Sequence, residues 1–127
     1  MPTRLGPDHV KSNSLTTYVL LAMTSFAGAN DFFVSKIEPL LKQRCFECHS
    51  HEKKIKGGLA LDSKSGWEKG GESGPAIVPG KPEESLLIQA VEATNSIPGM
   101  PPSGFTQLND NQKRGLLKWV AEGAQNN

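Results

Sequence analysis

One short stretch constrains this chain more than any other: Cys45-Phe46-Glu47-Cys48-His49. These are the only two cysteines in 127 residues. A disulfide between them would close a tiny loop and staple nothing distant, so another use for the thiols is expected. A domain of this size buries limited apolar surface and is commonly reinforced by a disulfide, a metal or a large cofactor.

The spacing points to the cofactor. On a helix, residues three and four apart share a face, so Cys45, Cys48 and His49 can be presented together. Two thiols and an imidazole in this pattern are the attachment signature of c-type haem, with both sulfurs as thioethers and the histidine turned to the iron. The competing uses fit less well. A structural zinc site needs four ligands. Beyond the first 29 residues the chain offers Cys45, Cys48, His49 and His51, all inside one seven-residue stretch, whereas zinc knuckles normally draw ligands from two separated pieces of chain. A thioredoxin-like redox pair calls for a βαβ setting, and no such pattern is present. One covalent haem c is therefore the expected cofactor.

Residues 1–29 read as a cleavable signal peptide. Arg4 and Lys11 give a basic start, Leu15 to Ala27 form a short apolar-rich run, and Ala27-Gly28-Ala29 supplies a small-x-small cleavage site. The run is shorter than the roughly 20 residues of a membrane-spanning helix. Residues 30–127 then form one cytochrome c domain in a periplasmic or otherwise exported protein, the compartment in which bacteria attach haem. The whole chain carries 14 basic and 13 acidic residues. Without Arg4, Lys11 and Asp8 the counts become 12 and 12. A neutral chain lacks the basic excess that nucleic-acid binding requires.

The exported part reads as all-α, with three to four helices and long loops. Phe33, Ile37, Leu40 and Leu41 have helical spacing behind Asp31 as a possible cap, and Pro39 either kinks that helix or opens one near Glu38. Residues 50–81 read as mostly irregular, punctuated by Gly57-Gly58, Gly70-Gly71, Gly74-Pro75 and Pro79-Gly80. A second helix is expected to start at Pro82, with Leu86, Leu87, Ala90 and Val91 on its apolar face. The last has the clearest start: Asn109 and Gln112 form a capping-box pair, Leu116, Leu117 and Val120 follow on one face with Trp119 beside it, and Gly123 suits the C-terminal end.

Histidine/methionine ligation is common among cytochromes c, and Met100 is the only methionine beyond the signal segment. Pro101 and Pro102 stiffen its loop, which lowers the entropy lost when a thioether binds metal. His51 lies about 200° around a helix from His49 and reads as a surface histidine. His49 and Met100 are thus the expected axial ligands. Six-coordinate iron leaves no substrate site, so the expected activity is one-electron transfer rather than enzymic turnover. The alternatives are a haem enzyme, or a gas-sensing or structural haem module, with a displaceable sixth ligand. Lys42, Arg44, Lys53, Lys54 and Lys56 flank the motif; they are either an ordinary solvated surface or a docking patch for an acidic redox protein.

The chain resembles the planctomycete-type cytochrome c domain, a branch of the class I c-type cytochromes. The resemblance rests on Lys36 to Leu41 leading into Cys45-x-x-Cys48-His49, Lys56-Gly57-Gly58-Leu59-x-Leu61-Asp62-Ser63, and Gly70-Gly71-x-Ser73-Gly74-Pro75-Ala76-Ile77-Val78-Pro79-Gly80. Pro82-x-x-Ser85-Leu86-Leu87-Ile88, Met100-Pro101-Pro102 and Trp119-Val120 with Gly123-Ala124 extend it over about residues 32–124. It implies covalent haem on Cys45 and Cys48, His49 and Met100 on the iron, and a class I helical fold whose first and last helices cross. Domains of this type often sit at the front of larger proteins, so association with a membrane respiratory complex or a larger periplasmic enzyme is a further partner class. The family often has arginine where this chain has Ala60. If that arginine serves a haem propionate, Trp67 or Lys64 are the substitutes to consider.

Overall fold

The computed structural model describes residues 29–94 and 97–126; the signal-peptide expectation falls almost wholly outside them. Among the described residues the fold is all-α, with no β-strand and two isolated bridges, His49 with Ile55 and Gly71 with Gly74.

The chain enters through α1 (Ala29–Phe32), widens into a π-helical turn over Phe33–Ile37, and continues as α2 (Glu38–Arg44). Pro39 accounts for the change of pitch. It brings no N–H and its ring crowds the preceding turn. The chain relaxes into i→i+5 bonding just before it, with the Glu38 N–H donating to the Phe33 carbonyl. Pro39 thus sits in the first turn of α2. Asp31 lies inside α1 rather than capping it. Phe33, Ile37, Leu40 and Leu41 are all buried, as their spacing predicts.

Residues 50–81 hold more structure than expected. A short 3₁₀ turn covers Lys56–Gly58, and α3 spans Lys64–Lys69. Ser63 caps α3, its hydroxyl accepting the Gly66 N–H at 3.0 Å. The purpose of α3 is to bury Trp67, which is 1 % exposed. Trp67 meets Trp119 edge-on at 5.3 Å between centroids, and Phe33 lies 5.5 Å from Trp119 and 6.2 Å from Trp67. The last helix thereby packs on the first helical segment.

The helix expected from Pro82 begins later. Pro82–Glu84 is a 3₁₀ turn, Ser85 is extended, and α4 runs Leu86–Glu92. Ser85 is fully buried, and its hydroxyl accepts from the Val78 N–H (2.9 Å) and donates to the Lys81 carbonyl (2.9 Å). Three pieces of loop are fastened through one oxygen, and the helix starts where that knot ends.

The final helix, α5 (Asp110–Ala121), matches the expectation at both ends. Asn109 accepts the Gln112 N–H at 2.8 Å, while Gln112 accepts the Asn109 N–H at 2.9 Å. At the other end Gly123 N–H donates to Val120 and Ala124 N–H to Trp119, the paired bonds of a Schellman motif. Gly123 adopts the φ of +107° this geometry favours. The buried arc is Leu116, Trp119 and Val120. Leu117 is 40 % exposed, a correction to the expected face: one residue past Leu116 it lies about 100° further around the helix, off the arc centred on Trp119 and Val120.

Candidate functional site

The Cys45–His49 stretch lies just past α2, not on it. Cys45 ends the helix, its N–H still bonded to the Leu41 carbonyl at 2.9 Å. Its own carbonyl then accepts from Cys48 (3.2 Å) and His49 (2.9 Å). A single turn therefore keeps the i, i+4 relation of Cys45 and His49 while the chain leaves the helix.

The next residues hold that turn in place. Ser50 is 2 % exposed, donates its hydroxyl to the Phe46 carbonyl at 2.7 Å and accepts the Lys53 N–H at 3.2 Å. Residues 59–62 run alongside. The Leu61 N–H donates to the His49 carbonyl at 2.7 Å, and His49 Nδ1 lies 3.2 Å from the Leu59 carbonyl oxygen. A carbonyl can only accept, so Nδ1 carries the hydrogen and the Nε2 lone pair is left for a metal. His51 turns outward, its Nδ1 at 2.8 Å from one Asp62 oxygen and its main-chain N–H at 2.9 Å from the other.

Met100 arrives on the loop after α4, anchored by its own N–H to the Ala90 carbonyl at 2.9 Å. Cys45, Cys48, His49 and Met100 all line one cavity of about 630 Å³, within the range of cofactor-sized pockets. Its walls are largely apolar. Leu59 and Leu61 come from the extended piece, Leu87 and Val91 from α4, and Ala76 from the loop between. The face expected of Leu86, Leu87, Ala90 and Val91 is the face turned to this space.

Both thiols are free and half-buried. Burial pushes the Cys45 thiol up to about 12, Arg44 works against that shift, and Cys48 adds to it. Two cysteine sulfurs beside an apolar, porphyrin-sized space suit a haem. The Nε of Arg44, also in the wall, is buried without a partner, a donor suited to an anionic group. Trp67 and Lys64 do not line the cavity. Trp67 is committed to the aromatic cluster, and Lys64 pairs with Glu68 at 3.7 Å on the surface. Arg44 and Lys56 are the cations in the lining. Sequence reasoning places them only as flanking charges and gives no sign of Phe105 at the rim.

A small helical domain folded around such a cavity, with a Cys-x-x-Cys-His turn in its wall, defines a cytochrome c-type protein. The family model described as planctomycete cytochrome C matches residues 45–104, and over this stretch the chain is similar to that family. No curated protein and no solved structure matches the chain. The match points to a haem-binding domain of the electron-transfer type. Among the described residues no helix is long and apolar enough to cross a membrane.

Proposed function

We propose that the chain is an exported mono-haem c-type cytochrome that carries single electrons between protein partners. The observation that carries this reading is the shared cavity: two free thiols, an imidazole with its Nε2 lone pair available, and a thioether converge on one apolar space. Cys45 and Cys48 anchor the haem as thioethers, which prevents its loss outside the cell. His49 would ligate the iron through Nε2 with its ring held by Leu59, and Met100 would supply a second ligand. Bound there, the haem supplies a one-electron ferric–ferrous couple. A thioether in place of a second imidazole raises its potential. The leucine and valine walls would exclude water from the bound group.

Lys53, Lys54 and Lys56 stand exposed on the loop after His49, and among the described residues none has a carboxylate within ion-pair distance. Ile55 lies among them, 45 % exposed. This supports docking of an acidic redox protein, steered by charge.

The test is production in a host that exports and matures cytochromes c. Expected are a mass increase of one haem, a pyridine haemochrome spectrum of the two-thioether type, and no rapid carbon monoxide binding by the reduced protein. A bare polypeptide would overturn the reading, and rapid carbon monoxide binding would replace the carrier with a sensor or enzyme.

A further inference from the structure

The loop that brings Met100 to the cavity has little main-chain support. Pro101 and Pro102 have no N–H to give. Between Met100 and Asn109, among the described residues, the one main-chain bond is Phe105 N–H to the Pro102 carbonyl at 3.1 Å. The loop is instead gathered by a side chain. Gln107 Nε2 lies 2.9 Å from the Pro101 carbonyl oxygen, 3.1 Å from that of Pro102 and 3.1 Å from that of Phe105. All three are pure acceptors, so the amide nitrogen must face them. The base of this clasp is anchored: Leu108, next in the chain, is buried, and Asn109 after it is bonded into the capping box of α5.

We propose that Gln107 is the positioning residue for the sixth ligand: its amide holds the 101–105 loop against the start of α5 and so opposes the departure of Met100 from the iron. This rests on the reading of Met100 as an axial ligand. Gln107 touches neither metal nor partner; it acts by setting the balance between a closed loop with the thioether in place and an open loop without it. A ligand from solution can bind only the open form, so its apparent affinity falls by the fraction of time the loop is open. Loosening the clasp raises that fraction, and the displacing ligand binds correspondingly tighter.

The experiment titrates the ferric holoprotein with imidazole and follows the loss of the thioether-to-iron charge-transfer absorption. Gln107→Ala and Gln107→Glu are expected to bind imidazole about tenfold tighter than the parent, a shift of about 1.4 kcal/mol. Gln107→Lys restores donors at the same place and is expected to stay near the parent value. Gln89→Ala is the control, since Gln89 also bonds a main-chain carbonyl, that of Glu83 at 3.0 Å, but not on this loop. The proposal is overturned if Gln107→Ala and Gln107→Glu leave imidazole affinity unchanged, or if Gln89→Ala raises it equally, which would mean general loosening. Met100→Ala separates the two levels: if the parent lacks the thioether absorption and matches Met100→Ala, the ligand assignment itself fails and takes this proposal with it. If Met100→Ala abolishes the absorption while the Gln107 variants do nothing, only the clasp fails.

Discussion

Nδ1 of His49 and the carbonyl oxygen of Leu59 lie 3.2 Å apart, and this contact joins the Cys-x-x-Cys-His turn to the chain that returns past it. It fixes the tautomer, limits ring rotation and makes Nε2 the better donor. The acceptor belongs to a backbone segment held at two further points, through Leu61 on the His49 carbonyl and Asp62 on His51.

Replacing His49 while keeping its surroundings tests the proposed ligation. In His49→Ala the thioether cysteines remain, so haem should stay attached while the low-spin spectrum is lost. Added imidazole should restore it, because the space vacated by the ring opens beside the Leu59 carbonyl, which can accept the N–H of the added molecule. Absorption spectra with and without imidazole provide the measurement. A low-spin spectrum unchanged by the substitution would mean that another residue ligates the iron.

Asp62 gives a prediction with a sign. Its carboxyl is subject to burial, which raises its pKa, but the main-chain and ring bonds from His51 outweigh that and hold it below the usual carboxylate range. The folded pKa is therefore depressed. Its contribution to stability is present above the unfolded carboxylate value of about 3.9 and is lost as pH falls through the folded value. Asp62→Asn should lower stability at pH 7 by no more than about 1 kcal/mol, the scale of a partly exposed charged contact. The difference between parent and variant should close below about pH 4. Urea midpoints at neutral and acid pH read it; a gap that widens with acid would contradict the assignment.

Two glycines in the loops beside the cavity should respond very differently to alanine. A Cβ on Gly70 would lie 1.9 Å from the Gly74 carbonyl oxygen, and Gly70 has φ of +76°. A Cβ on Gly57 would meet nothing within 4 Å, although φ is +65°. Gly57→Ala thus carries only backbone strain, about 1 kcal/mol. Gly70→Ala must also force apart the two arms of the 70–74 turn, so a cost beyond about 3 kcal/mol is expected, because overpacking adds to the strain. Equal losses in denaturant unfolding would show that the turn yields easily.

The parts of this molecule that can be read from sequence are those whose physics is local. The capping box of Asn109 and Gln112 and the glycine stop at Gly123 lie within a few residues of what they control, and α5 appears where they put it. The cysteine–histidine spacing is legible for the same reason. The start of α4 is not legible, because Ser85 is captured by Val78 and Lys81, and no local rule says that a serine after Pro-Glu-Glu will be pulled inward. Trp67 is similar. A tryptophan in a glycine-rich stretch gives no hint of its partners, and only the crossing of α5 over the first helical segment creates the pocket that α3 fills. The Gln107 clasp is illegible too, since its acceptors are carbonyls that every residue possesses.

The two tryptophans differ in one atom's circumstances, and that difference should be measurable. Trp119 Nε1 donates to the Gln125 carbonyl at 2.8 Å, whereas Trp67 Nε1 is buried with no partner. Trp119→Phe removes a real bond and should cost about 1–2 kcal/mol beyond the lost contact area. Trp67→Phe removes a donor whose burial already costs about 1–3 kcal/mol, so the two effects offset and the net change should stay within about 1 kcal/mol. Trp67→Ala, which empties the centre of the cluster, should cost about 3–5 kcal/mol. Guanidinium unfolding of the haem-free and haem-loaded proteins compares all three. If Trp67→Phe proves as costly as Trp119→Phe, the nitrogen is paired within the protein and the offset argument fails.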